Sequence, residues 1–228
     1  NLLWRQPSSQ YRLVNINADY PVFSKLPFGL SAAYSQEFFE DSYVNASFAT
    51  YFTSTGRFGN LKIGSKIATS NSLEISSKST TRSGSIIINR DRRNERWLPF
   101  SGNYIFIDTD IGNYKDVEGS SLELNSNIKL GMFKAYRSSL FHFKFATSMN
   151  KINGRALSES KSVKFGGSNS IRGYNENQFN AQWMTFQSME LIFGDLYRSQ
   201  LLIFVDNVFA KDVEINPTTG FGIRVFDG

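Results

Sequence analysis

The sequence predicts an all-β protein, an antiparallel transmembrane β-barrel, and three observations predict it. Apolar and polar residues alternate through about eleven segments of roughly 9 to 12 residues, and almost no stretch carries a helical period. Loops rich in Gly, Ser, Asn and Asp separate the segments, as at 53–60 and 153–162. Aromatic residues are 15% of the 228, with 21 Phe and 10 Tyr, and they often sit at segment ends, as an interfacial girdle would.

The segments fall in order at 10–20, 28–38, 43–52, 61–67, 82–90, 101–112, 122–130, 141–145, 180–193, 199–210 and 218–226. In a strand, alternate side chains share a face. Val44, Ala46, Phe48, Thr50 and Phe52 therefore oppose Tyr43, Asn45, Ser47 and Tyr51, and Leu61, Ile63 and Ile67 oppose Lys62 and Lys66. The clearest case sets Leu122, Leu124, Ile128 and Leu130 against Glu123, Asn125, Asn127 and Lys129. Phe141, Phe143 and Phe145 oppose His142 and Lys144 in the same way.

Many regular strands make either a sandwich or a barrel. A soluble sandwich turns every ~8 to 12 residues and wets its polar face. Here the spacing is nearer ~20 residues and the polar faces mix Asn, Ser, Lys and Glu, which suits a wet lumen with the apolar face on lipid. A soluble all-β binding module is the rival reading.

Composition removes other classes. With no cysteine there is no disulfide scaffold and no thiolate metal site. The 25 Lys+Arg and 20 Asp+Glu are scattered singly, so no nucleic-acid partner is expected. The longest apolar run, Leu201–Val205, falls far short of the roughly 20 residues of a membrane helix.

Few stretches carry chemistry. Gly166-Gly167-Ser168-Asn169-Ser170-Ile171-Arg172-Gly173-Tyr174 is a glycine-flanked, Ser-rich loop. A phosphate cradle would need a helix after it, and the chain continues as a strand instead. Ser168, His142 and Asp206 suggest a hydrolase triad only weakly, since His142 alternates with phenylalanines on a strand. Glu190 with Asp206 reads as ordinary ion pairing. No enzyme and no cofactor or metal are expected.

The same loop carries a resemblance. Ile171-Arg172-Gly173-Tyr174, preceded by Gly166-Gly167, resembles the inward-folded loop of the BamA/TamA/FhaC superfamily of bacterial outer-membrane barrels. Asp91-Arg92-Arg93-Asn94 followed by Pro99-Phe100-Ser101-Gly102 resembles that family's strand-turn motif, in which Asp91, Arg93, Pro99 and Gly102 match. Ser188-Met189-Glu190-Leu191, then Phe204-Val205-Asp206, then Gly220-Phe221-Gly222-Ile223-Arg224 resemble three later strands in family order.

The resemblance covers about 82–228 and implies a barrel of sixteen strands, of which about three are missing before Tyr11 and two after this chain. It implies one barrel domain over 1–228, incomplete at both ends and without its periplasmic domains. It further implies protein insertion or secretion at the outer membrane. The partners would be a client polypeptide, outer-membrane lipid and accessory proteins of the periplasm. Alternation places Asp206, Phe204, Leu202 and Gln200 on one face, and Glu190, Ser188 and Gln182 on the lumenal face of the strand before. The resemblance implies that Arg172 latches onto Asp206, with Gly173 permitting the turn and Tyr174 lying on the wall; from the residues alone, Glu190 is an equal candidate partner. A passive pore or receptor barrel is the alternative function.

Overall fold

The computed structural model describes residues 2–8, 11–20, 28–39, 42–57, 59–72, 78–95, 99–168, 170–194 and 199–225. Residues 10, 58, 169 and 226, which the sequence readings included, lie outside the described residues.

The strands are β1 (Leu2–Ser8), β2 (Tyr11–Tyr20), β3 (Gly29–Phe39), β4 (Tyr43–Gly56), β5 (Gly59–Ser72), β6 (Lys78–Asp91) and β7 (Ser101–Asp116). They continue as β8 (Gly119–Tyr136), β9 (Ser139–Ile152), β10 (Val163–Phe165), β11 (Phe179–Ala181), β12 (Trp183–Gly194), β13 (Ser199–Ala210) and β14 (Thr218–Val225). Twelve of them form one sheet in chain order, β1 to β9 followed by β12, β13 and β14, while β10 and β11 pair as a separate ribbon. Ten of the eleven alternating segments each fall on one strand of the large sheet; the exception is 180–193.

Two readings need correction. A strand precedes Tyr11: β1 pairs with β2, and its register slips between Arg5 and Ser8. Leu2-Leu3-Trp4 breaks the alternation and Pro7 interrupts the ladder, a residue tolerated at a sheet's end strand or a bulge. The segment 180–193 is also two elements, because β11 ends at Ala181 and β12 begins at Trp183. Gln182 stands at this break, outside the β12 face shared by Ser188 and Glu190, and accepts a hydrogen bond from Lys211 at 2.9 Å.

Several strands exceed the alternating cores that revealed them; β8 runs for 18 residues. Before its alternating core it carries Gly119, Ser120 and Ser121, too small to register in an apolar count, and after it Gly131-Met132-Phe133, where adjacent apolar residues interrupt the alternation. Burial follows the alternation with the usual polarity reversed. On β13 Leu201, Ile203 and Val205 are exposed, Ile203 at 48%, whereas Asp206 is 0% exposed. Phe48, Phe52, Ile63 and Ile67 are exposed while Tyr43 and Tyr51 are buried. Rows of exposed apolar side chains over enclosed carboxylates contradict the economy of a water-soluble domain and suit a lipid-facing wall.

The chain divides into two compact units. One comprises 1–88, 108–126 and 150–161; the other comprises 89–107, 127–149 and 162–228. The first buries polar side chains such as Ser70, Thr81, Asp110 and Glu123. The second holds two apolar clusters, one around Phe165, Ile171, Met184, Phe186 and Val208, the other around Phe133, Leu140 and Ile192.

Candidate functional site

The second unit gathers most of the sequence motifs. Sheet register does the first part of the work, since side chains directly opposite on neighbouring strands share a face. Asp206 of β13 stands opposite Ser188 of β12, and Phe204 stands opposite Glu190. On the other side of β12, Glu190 stands opposite His142 and Ser188 opposite Lys144 of β9. The enclosed face of β12 thus runs from Met184 and Phe186, through Ser188 and Glu190, to Ile192. A charged layer lies between two apolar clusters, where screening by water is weak and each ionic contact counts for more.

The segment between β10 and β11 enters this layer. Phe165 stacks on Phe179 across the ribbon at 5.5 Å, and Tyr174 meets Phe179 edge-on at 5.1 Å. Ile171 is 0% exposed and packs in the cluster with Met184, Phe186 and Val208. The next side chain, Arg172, reaches the charges. Its Nε donates to Asp206 Oδ2 at 2.7 Å and its Nη2 to Asp206 Oδ1 at 2.6 Å. This is the planar fork that guanidinium and carboxylate make. Nη1 donates to Glu190 Oε1 at 2.8 Å, Nη2 also to Ser188 Oγ at 3.0 Å, and the Arg172 backbone N–H to Asp206 Oδ2 at 3.2 Å.

Both carboxylates are therefore partners of the arginine, and each is enclosed, Glu190 at 3%. Glu190 also accepts from His142 Nδ1 at 2.8 Å and from Lys144 Nζ at 3.2 Å. The His142 ring lies on Phe133 at 3.8 Å. Phe204 sits beneath Arg172, its ring centroid 3.6 Å from the guanidinium carbon. The Phe204 ring has room to lie there because its cross-strand partner is Gly220, where a Cβ would meet the ring at 2.6 Å.

Two glycines shape the loop. Gly173 has φ +90° with only the Thr218 methyl near, so its requirement is backbone conformation alone. Gly166 has φ +125°, and a Cβ there would lie 2.5 Å from the Asn175 carbonyl oxygen; its N–H donates to Ser170 Oγ at 2.7 Å. Gly166→Ala is expected to lower the stability of the docked loop by about 1–3 kcal/mol through strain and crowding together, measurable as faster proteolysis within 166–178. Beside Gly167, Ser168 donates to Glu176 from both its N–H, at 2.8 Å, and its hydroxyl, at 2.7 Å. Ser168 and His142 are thus turned to different glutamates.

The strand-turn motif is a separate construction. Arg93 grips Asp91 through Nε at 2.9 Å and Nη2 at 2.7 Å, which holds its guanidinium above the ordinary pKa range. It also lies over the Tyr104 ring at 5.1 Å. Asn94 Oδ1 accepts from the N–H groups of Phe100 and Ser101 at 3.0 and 2.9 Å, closing the turn. Pro99 is buried, and Gly102 is the second residue of β7.

Sequence reasoning named His142, Lys144, Ser188 and Gly220 on their strands but did not join them to Arg172. Their enclosed faces were readable from alternation, but their neighbours follow from register, which alternation leaves open.

Comparisons with known proteins bear on the family and the fold. The Omp85 superfamily domain matches residues 4–207. The structure of BamA from Haemophilus ducreyi lacking POTRA domains 1-3 is similar at a TM-score of 0.66 and 14% identity, over 89% of this chain and 50% of that one. CdiB from Acinetobacter baumannii gives a TM-score of 0.46 and 10% identity, over 95% of this chain and 51% of that one. The chain spans about half the length of these solved structures. No curated protein matches it. The likeness to BamA shows the fold, an antiparallel β-barrel to which the twelve-stranded sheet contributes. With the family domain spanning most of its length, and with the loop, strand and turn motifs in order, the chain belongs to the Omp85 superfamily.

Proposed function

We propose that this chain is the barrel part of a bacterial outer-membrane protein that inserts or translocates polypeptides, and that Arg172 is an internal latch on its wall. The observation that carries this reading is the Arg172 fork on fully enclosed Asp206, shared with Glu190. A passive pore needs no such expenditure of buried charge. A machine that must deform and recover its wall does, because one loop then fixes two neighbouring strands in a single register.

The mechanism is mechanical, without enzyme chemistry, nucleotide or metal. A client strand pairs with an exposed sheet edge as the wall opens. The latch holds β12 and β13 together meanwhile, and lipid receives the apolar outer face. Accessory proteins of the periplasm would deliver the client.

The test uses the full-length protein in liposomes, with an unfolded outer-membrane barrel and a secreted polypeptide as two probe clients. Arg172→Ala is expected to cut transport to about a tenth or less, since ~1.4 kcal/mol of lost docking already shifts a population tenfold. Arg172→Lys keeps the charge but loses the fork and the flat stack on Phe204, so it should stay well below wild type. Transport at the wild-type rate by Arg172→Ala would refute the latch and favour a passive pore.

A further inference from the structure

The first unit holds its own ionic knot on the same loop, eleven positions before Arg172. Between β9 and β10 the chain makes one 3-10 turn, Glu159–Lys161. Lys161 Nζ donates to Glu123 Oε1 at 3.0 Å and Oε2 at 3.2 Å, and to Thr81 Oγ1 at 3.1 Å. The Thr81 hydroxyl in turn donates to Glu123. Asn150 Nδ2 bonds both Glu123 Oε1, at 3.2 Å, and the Lys161 carbonyl, at 3.0 Å. Lys161 also lies over the Tyr114 ring at 5.5 Å.

The neighbouring residue is held as firmly. Ser160 Oγ is 2.8 Å from Ser70 Oγ, and its carbonyl accepts from Asn45 Nδ2 at 3.1 Å. One turn of chain thereby touches enclosed side chains of β4, β5, β6, β8 and β9. The cation is more sheltered than Arg172 and the carboxylate almost as enclosed, with side chains 12% and 5% exposed against 23% and 0% for Arg172 and Asp206. A lysine so placed, with a carboxylate on one side and a hydroxyl and amide completing the set, is a built contact and not a solvated loop.

We infer that Lys161 and Glu123 form a second anchorage of the loop, independent of Arg172, which keeps its leading arm docked when the Arg172 fork lets go. The inference deepens the latch reading and rests on it. Among the described residues the two attachments share no partner: one uses Glu123, Thr81, Asn150, Ser70 and Asn45, the other Asp206, Glu190, Ser188 and Phe204. Lys161 is a positioning residue in this scheme, holding the start of the loop on the first unit.

Within this chain, which has no cysteine, a single engineered pair reports on the arm. S70C/S160C replaces the two touching hydroxyls, and oxidation of the full-length protein in membranes reads whether the arm is docked. The bridge is expected to form at similar yield in the wild-type and R172A backgrounds, and several-fold less in E123Q. If E123Q impairs assembly, the charge-free pair E123Q/K161M, which keeps side-chain volume, replaces it, with heat-modifiable migration as the control for a folded barrel. Loss of the bridge in folded R172A, or an unchanged bridge when the Glu123–Lys161 charges are removed, would overturn the second anchorage. Transport is measured separately, so full transport by R172A alongside a Glu123-dependent bridge would refute the latch and leave the anchorage standing as a structural contact.

Discussion

Arg172→Ala is expected to destabilise the docked loop by about 3–5 kcal/mol, the usual consequence of removing one member of an enclosed ion pair. The size follows from what remains behind. Glu190 keeps His142 and Lys144 as cationic or donating neighbours, but Asp206, 0% exposed, has no other ion-pair partner among the described residues. Asp206→Ala should cost less, because Arg172 then still holds Glu190 and Ser188. The order of the two single variants is thus itself a prediction, read as the temperature at which the folded, fast-migrating species of the full-length protein in detergent is lost.

Ile171→Ala is expected to cost about 2–5 kcal/mol, the range for emptying a fully buried aliphatic site. Ile171 is the apolar foot of the loop: it sits among Phe165, Met184, Phe186 and Val208 immediately before the arginine. Its removal opens a cavity beside the charged layer and admits water, which weakens the fork that it shelters. The expected readout is cleavage within 166–178 at low protease, together with a lower melting temperature. An unchanged pattern would mean that the ionic fork alone seats the loop.

Much of this was legible in the sequence, and the reasons are physical. A strand with lipid on one side must alternate, so Leu201, Ile203 and Val205 reveal the outer face of β13 and thereby place Asp206 inside. The Ile-Arg-Gly-Tyr loop and its acidic strands were visible as motifs. What stayed hidden was set by register and by the loop's path. Nothing in a single strand says that His142 will stand opposite Glu190 or that Gly220 will make room for Phe204; both depend on how β9, β12, β13 and β14 slide against one another. The Lys161 knot was hidden for the same reason, since its partners lie 38 and 80 positions away in the chain. The strand β1 escaped because three adjacent apolar residues and a proline erase the alternation that marks a strand.

The measurement that most directly tests the account is a double-mutant cycle on Arg172 and Asp206, with melting of the full-length barrel as the readout. If the fork is the latch, R172A and D206A are strongly coupled, by about 2–3 kcal/mol, and the double variant is scarcely worse than R172A alone. Additivity within about 0.5 kcal/mol would mean that the two residues act separately, and the latch would be contradicted.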